Sequence, residues 1–262
     1  RSMNLRAKMS ANLRSWLKLT ENIVFNNEFY HIPSTSNKQG SGNFWDAINA
    51  EGHPSSPIFN PDGTLTMSGA YSVGGLVTEN NYTDTKANNF KTTTGLRAEF
   101  FDKTLRAVAD FTYSYRMNNE LKKRTVVPYS TGPGIYETLG VPGTDDYLQE
   151  YFSGTNYLAA NAYLEYENTF AKKHYFKAMA GYNYEQKHWK GVTSKRYDLM
   201  TPDTDAINLA MGESMSITSN ESRWRLAGFM FRLNYSYDER YLFEVNGRYD
   251  GSSKFPTYSQ WG

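Results

Sequence analysis

The chain has 262 residues with 28 basic against 27 acidic side chains, a balance with no basic stripe to point to nucleic acid as a partner. It has no cysteine, which excludes disulfides and thiolate metal sites. Aromatic residues reach 16%, yet mean hydropathy is −0.68, and no window approaches the roughly 18 consecutive apolar residues of a membrane-crossing helix. Composition therefore favours strands with one aromatic and one polar face, a pattern that hydropathy scans miss because each strand is only half apolar. Arg1-Ser2-Met3-Asn4 has neither the apolar segment nor the cleavage site of a secretory leader, so the chain reads as cytoplasmic or as one whose beginning lies elsewhere.

In chain order, Met3, Leu5, Ala7 and Met9 alternate with Asn4, Arg6, Lys8 and Ser10, the period-two signal of a strand with two unlike faces. A polar turn near Asn12 to Ser15 leads to a second run in which Leu17, Leu19, Ile23 and Phe25 share a face and Glu21 is a misfit on it. From about 26 to 89 alternation is lost in a stretch rich in Asn, Ser, Gly and Pro, with the turn former Asn60-Pro61-Asp62-Gly63 inside it. Connections of that length are functional or disordered when they occur in compact domains.

Alternation resumes with Phe90, Thr92, Thr94, Leu96, Ala98 and Phe100, then Leu105, Ala107, Ala109, Phe111, Tyr113, Tyr115 and Met117. The apolar positions switch from even to odd, which predicts a hairpin closed at Phe100 and Leu105 with Glu99 opposite Arg106 as a charge pair. A second long connection is expected at about 118 to 156. A hairpin follows, with Leu158, Ala160, Ala162, Leu164 and Tyr166 answered by Phe176, Ala178, Ala180, Tyr182 and Tyr184 across a turn at 169 to 173. A third connection, about 190 to 221, precedes the last hairpin, where Ala227, Phe229, Phe231, Leu233, Tyr235 and Tyr237 face Tyr241, Phe243, Val245, Gly247 and Tyr249.

These runs make about eight strands in four hairpins, with tight turns at one end and long polar connections at the other, as in an antiparallel transmembrane β-barrel. Rings near the strand ends (Trp16, Phe25, Phe100, Tyr113, Tyr115, Tyr182, Tyr184, Tyr241, Tyr249) fit aromatic girdles at two membrane interfaces. A small self-contained β-barrel or β-sandwich acting as a binding or adhesion module alternates equally well. The aromatic strand ends and the one-sided placement of the long connections favour the membrane barrel.

The closing segment, Ser236-Tyr237-Asp238-Glu239-Arg240-Tyr241-Leu242-Phe243-Glu244-Val245-Asn246-Gly247-Arg248-Tyr249-Asp250-Gly251-Ser252-Ser253-Lys254-Phe255 followed by Gln260-Trp261-Gly262, resembles the barrel signature of SusC/RagA-type TonB-linked outer-membrane transporters. Trp16-Leu17-Lys18-Leu19 and Glu79-Asn80-Asn81-Tyr82 are softer echoes. The resemblance implies a large plugged barrel that imports a glycan or peptide, a SusD-like surface lipoprotein as partner, and a TonB complex reached through an N-terminal region that this chain does not contain. It also implies that residues 1 to 262 are an internal barrel piece, completed in lipid by other strands.

No catalytic constellation stands out, so an enzyme is not expected, and no cofactor is. His31, His53, His174 and His188 lack metal-ligand spacing, and His174 reads as a solvated turn residue. Asp145-Asp146 and Asp203-Thr204-Asp205 could contribute oxygens to calcium, but neither has the EF-hand pattern and both read better as solvated loops. Aromatics in the long connections can stack on sugar rings or pack peptide side chains; Trp45, Tyr71, Tyr136 and Trp189 are the candidate substrate contacts, with simple loop packing as the alternative. Arg97, Arg106, Asp110, Arg116, Glu244 and Arg248 should line the lumen.

Overall fold

The computed structural model describes residues 1–34, 55–201, 203 and 205–262. In chain order the elements are β1 (Ser2–Arg14), β2 (Leu17–Pro33), α1 (Met67–Val77), β3 (Tyr82–Phe100), β4 (Leu105–Arg124), β5 (Val127–Gly132), β6 (Ile135–Leu139), β7 (Tyr147–Phe170), β8 (His174–Tyr197), β9 (Met215–Tyr237) and β10 (Tyr241–Ser252). Eight of the strands form one sheet in the order β1-β2-β3-β4-β7-β8-β9-β10, every neighbour antiparallel. The pair β5–β6 forms a separate hairpin. No described helix is long and apolar enough to cross a membrane.

The register keeps one side chemistry on each face across the whole sheet. One row runs Ala11, Leu19, Leu96, Ala109, Ala162, Tyr182, Phe229 and Tyr249. The next row, on the opposite face, runs Ser10, Thr20, Gly95, Asp110, Asn161, Asn183, Gly228 and Asp250. A one-residue slip anywhere would exchange the two chemistries, so the pattern itself pins the register. From Phe90 to Phe100 on β3, ten steps of about 3.3 Å at a tilt of about 40° give an apolar band about 25 Å tall.

Large apolar side chains stay exposed on this face, among them Leu164, Phe229, Phe231, Phe243 and Tyr249. An exposed apolar surface of that extent marks contact with lipid or another apolar partner. Rings cluster at both edges of the band. Trp16 lies 5.3 Å from Phe100 at the tight-turn end, and Tyr182 lies 5.0 Å from Phe229 at the other.

Three tight turns carry non-glycine residues at positive φ: Phe101, Asp102 and Lys103; Ala171 and Lys172; Asp238 and Glu239. Left-handed central residues give a turn the twist of the strands that it joins. The predicted closure is present, with Phe100 opposite Leu105 and Glu99 opposite Arg106. The expected charge pair is not. Arg97 holds Glu99 at 2.8 Å, while Arg106 turns to Glu165 at 3.1 Å and to Glu167, both on β7. Two carboxylates on the far neighbour outcompete one on the near neighbour.

The long connections are shorter than the sequence suggests. β2 continues to Pro33 and β3 begins at Tyr82; β4 continues to Arg124 and β7 begins at Tyr147; β8 continues to Tyr197 and β9 begins at Met215. These extensions mix polar and apolar residues on the same face, as where Asn27 is followed by Phe29 on β2 and Phe152 by Gly154 on β7, so they carry no clean period-two signal.

Between β2 and β7 the connections build a small core of Leu65, Ala70, Val127, Tyr129 and Leu139, with Tyr71 packed against it. Thr66 caps α1, its hydroxyl accepting from the Gly69 N–H at 2.9 Å. Asn60 turns the chain as expected and donates its amide to the Leu65 and Ser130 carbonyls. Asn81, almost fully buried, accepts the Thr125 N–H at 2.9 Å and donates to the Thr125 hydroxyl at 3.2 Å, joining the bases of the two connections.

Candidate functional site

The polar face of the sheet is a continuous wall of paired groups. Near the tight turns, Lys177 bridges Glu165 at 3.0 Å and Glu167 at 3.5 Å, Arg106 joins the same two carboxylates, and the Tyr175 hydroxyl donates to Glu167 at 3.0 Å. Arg232 lies 3.6 Å from Glu244. The cluster balances its own charges. Arg106 Nε is buried with no hydrogen-bond partner among the described residues. A concavity of about 510 Å³ opens here between Lys177, Met179, Arg232 and Glu244.

Higher on the wall, Asn183 donates to Asn161 at 2.6 Å and Asn161 donates to Asp110 at 3.0 Å, a ladder across three strands. On β10, Arg248 grips Asp250 through two nitrogens at 2.9 and 3.2 Å, and Gly228 opposite leaves the room that this carboxylate fills. Above that, Tyr157 meets Trp224 edge-on at 6.5 Å and donates its hydroxyl to Glu185 at 3.0 Å. Lys254 rests over the Trp224 ring at 5.4 Å. Nearer the outer end of the same face Tyr147 meets Tyr197 edge-on at 5.8 Å, so the wall offers amides, paired charges of both signs and two aromatic pairs.

The closing motif is a rim device. After β10 the chain turns back so that Gly262 exchanges two backbone hydrogen bonds with Asp250 at 2.9 and 3.1 Å. Ser252 N–H donates to the Gln260 carbonyl at 2.8 Å, and the Ser253 hydroxyl accepts the Arg225 N–H at 2.8 Å. Trp261 then lies on the apolar face, stacked on Tyr249 at 5.4 Å and on Phe229 at 6.4 Å. Position 251 must be glycine, because a Cβ there would sit 2.6–2.8 Å from three Trp261 ring atoms.

Of the candidate contacts, Trp45 lies outside the described residues, as does His53 among the histidines. Tyr71 sits on α1 against the small loop core. Tyr136 is on β6 and 68% exposed. Trp189 is on β8, half-buried, with its ring over the polar side of Gly191. Tyr71 and Tyr136 therefore belong to one loop module, and Trp189 belongs to the wall. Tyr157 and Trp224 were missed as a pair; their signal was that they fall out of phase with the apolar positions of β7 and β9.

His174 is not a free turn residue. It contacts the Tyr235 hydroxyl at 2.8 Å and packs on Tyr237 at 5.0 Å, within the aromatic edge of the apolar face. The acidic pairs are engaged as well. Asp145 accepts the Val141 N–H at 2.8 Å, and Asp146 accepts the Gly143 N–H and, at 3.1 Å, that of Leu199. Asp205 straps its connection to β3 and β4 by accepting from Tyr82 at 2.6 Å and from Lys123 at 3.0 Å. The Lys123 side chain is only 3% exposed. Burial pushes the Tyr82 phenol above its ordinary value, and the Asp205 bond adds to this. Burial alone would raise the Asp205 carboxyl, but hydrogen bonds from Tyr82 and Lys123 and the Lys123 charge outweigh it and hold the group below the usual carboxylate range.

No family model matches the chain. TonB-dependent receptor P3 of Formosa agariphila is 28% identical over 210 residues, which is 77% of this chain and 19% of that protein. TonB-dependent receptor P26 of the same organism is 30% identical over 94 residues, 35% of this chain and 10% of that one. The chain thus spans a fifth or less of the length of these curated relatives. Among solved structures, the RagAB peptide importer in its closed-closed state superposes over 100% of this chain and 29% of its own, with a TM-score of 0.70 at 14% identity. The signature around Gly251 and Trp261, these sequence relatives and the two-faced meander agree: the chain is similar to one stretch of TonB-dependent receptors and has the strand layout of an outer-membrane β-barrel.

Proposed function

We propose that the intact protein is a TonB-driven importer of oligomeric nutrient, with peptide favoured over glycan, and that this segment supplies eight consecutive strands of its barrel. The tight turns face the periplasm and the long connections face outside. A plug fills the lumen against the polar wall, TonB engages a region N-terminal to this segment, and a SusD-like lipoprotein covers the connections.

The observation that carries this reading is the register, which holds one apolar and one polar face across eight strands up to the signature motif. The composition of the wall supports peptide. Paired charges of both signs and carboxamides such as Asn161 and Asn183 complement a peptide backbone and its termini. The wall also carries two aromatic pairs, Tyr157–Trp224 and Tyr147–Tyr197, the second with Lys195 over both rings, and such rings pack peptide side chains. The likeness to a structure described as a peptide importer points the same way.

The test is uptake of labelled peptides and oligosaccharides by cells with and without the gene, in the presence and absence of functional TonB. Peptide uptake that needs both the gene and TonB is the predicted result. Glycan uptake alone, or uptake indifferent to TonB, contradicts it.

A further inference from the structure

The apolar face does not end in neutral groups everywhere. Above the Tyr182/Phe229 pair, the same face of β8 and β9 continues through Tyr184/Ala227 to Gln186/Arg225, His188/Arg223 and Lys190/Glu221. At about 3.3 Å per residue and a tilt of about 40°, Arg225 stands about 5 Å and Arg223 about 10 Å beyond the Tyr184 row. That is the polar layer next to the hydrocarbon, since tyrosine and tryptophan rings mark its edge.

The cations here are open. Arg223 is 65% exposed and gives one nitrogen to Glu221 at 2.6 Å, which leaves most of its five donors free. His188 shares the same Glu221 oxygen at 3.0 Å. Arg225 and Lys190 have no carboxylate within ion-pair distance among the described residues. Elsewhere the same height of the outward face is different: Asn27/Asn88 and Phe29/Lys86 on β2–β3, and Met117/Gly154 and Asn119/Phe152 on β4–β7. Lys86 lies over the Phe29 ring at 5.9 Å. Positive charge is concentrated on β8–β9.

We propose that this outward patch binds the phosphate of an outer-leaflet lipid headgroup, with Arg223 and Arg225 as the principal ligands, Lys190 as a supporting cation and Glu221 holding Arg223 in place. Arginine forks match phosphate oxygens in two-point contact, and the acyl chains of such a lipid fall against Tyr184, Phe229 and Trp261 directly below. The inference rests on the outer-membrane barrel and the outward direction of the long connections, and concerns a surface distinct from the solute path.

The test uses the full-length protein in nanodiscs, titrated with lipid A and with lipid A lacking its phosphates, and read by native mass spectrometry. The wild type should hold phosphorylated lipid A in preference to the dephosphorylated form. The double substitution Arg223→Gln/Arg225→Gln should weaken that binding by about thirtyfold, on the basis of two juxtamembrane cations. Arg223→Lys/Arg225→Lys should recover part of it, and Lys86→Gln should change nothing. All variants must keep the heat-dependent gel mobility of a folded barrel; for any that do not, Arg223→Gln alone gives the readout. Equal binding of both lipid forms, unchanged binding in the Gln variant, or displacement of the lipid by millimolar inorganic phosphate would each overturn the proposal. TonB-dependent peptide uptake that persists in the Gln variant separates this site from the transport reading.

Discussion

The stacking of Trp261 gives the most quantitative prediction. Its ring lies on two others, Tyr249 and Phe229, and each aromatic pair contributes about 0.5–1.5 kcal/mol beyond the area that it buries. Trp261→Ala should therefore weaken closure of the Ser252–Gly262 return by about 1–3 kcal/mol. Gly251→Ala should reach a similar loss by a different route, because its new Cβ meets the Trp261 ring at 2.6–2.8 Å and pushes it off the wall. The readout is local: hydrogen exchange at the Asp250, Ser252 and Gly262 amides, which are bonded across the return. A loss of 1–3 kcal/mol corresponds to about 5- to 150-fold faster exchange when opening limits exchange thermodynamically. The double variant should exchange no faster than Trp261→Ala alone, since the clash disappears with the ring. Exchange unchanged in Trp261→Ala, or strictly additive effects in the double variant, would refute the stacking argument.

Other perturbations follow from the same structure. Val127 is fully buried in the loop core, and a Cβ on Gly74 would lie 2.6 Å from its Cγ1. Val127→Ala should cost the module about 1.5–2.5 kcal/mol of local stability, and adding Gly74→Ala should restore much of it, as read by protease resistance of residues 55–146. The Asp205 strap should have two pH limits. A carboxyl depressed on folding contributes above its unfolded value of about 3.9 and loses that contribution as pH falls through the folded value; a phenol raised on folding contributes below about 10 and loses it as pH rises through the folded value. Exchange around Asp205 should therefore be slow near neutrality and accelerate in strong acid and strong base, and Asp205→Asn should remove the acid limb. Glu21, the misfit on the apolar face, accepts hydrogen bonds from Thr92 and, at 2.6 Å, from Thr94. Thr92→Val/Thr94→Val should lower the temperature at which the folded barrel is lost on gels, and adding Glu21→Leu should reverse the loss.

The membrane half of each strand was legible because its two faces meet different solvents. Leu164, Ala180 and Phe231 fall in one row for the same reason that they alternate in sequence. The outer halves were illegible for the complementary reason: Asn26, Asn27, Asn88 and Asn89 pair across β2 and β3, but water on both faces removes the alternation, so strand reads as loop. That error carried Trp189 and Tyr151 from wall to loop. The Glu99–Arg106 register could be read from parity alone, whereas the choice of Glu165 and Glu167 by Arg106 depends on a strand about 60 residues further on. The rim motif was legible as a signature, but its physical cause, a ring seated on a glycine ten residues before it, required the structure.

The two-faced wall is the central claim, and the absence of cysteine from all 262 residues makes it directly measurable. Single cysteines at 229 through 235 in the full-length protein, carrying no other reactive thiol and embedded in bilayers, would be labelled with nitroxides and tested for collision with oxygen and with a water-soluble nickel chelate. Positions 229, 231, 233 and 235 should favour oxygen and positions 230, 232 and 234 the nickel chelate, with period two throughout. Uniform exposure to nickel along the strand, or the opposite phase, would contradict the assignment of these strands to an outer-membrane barrel.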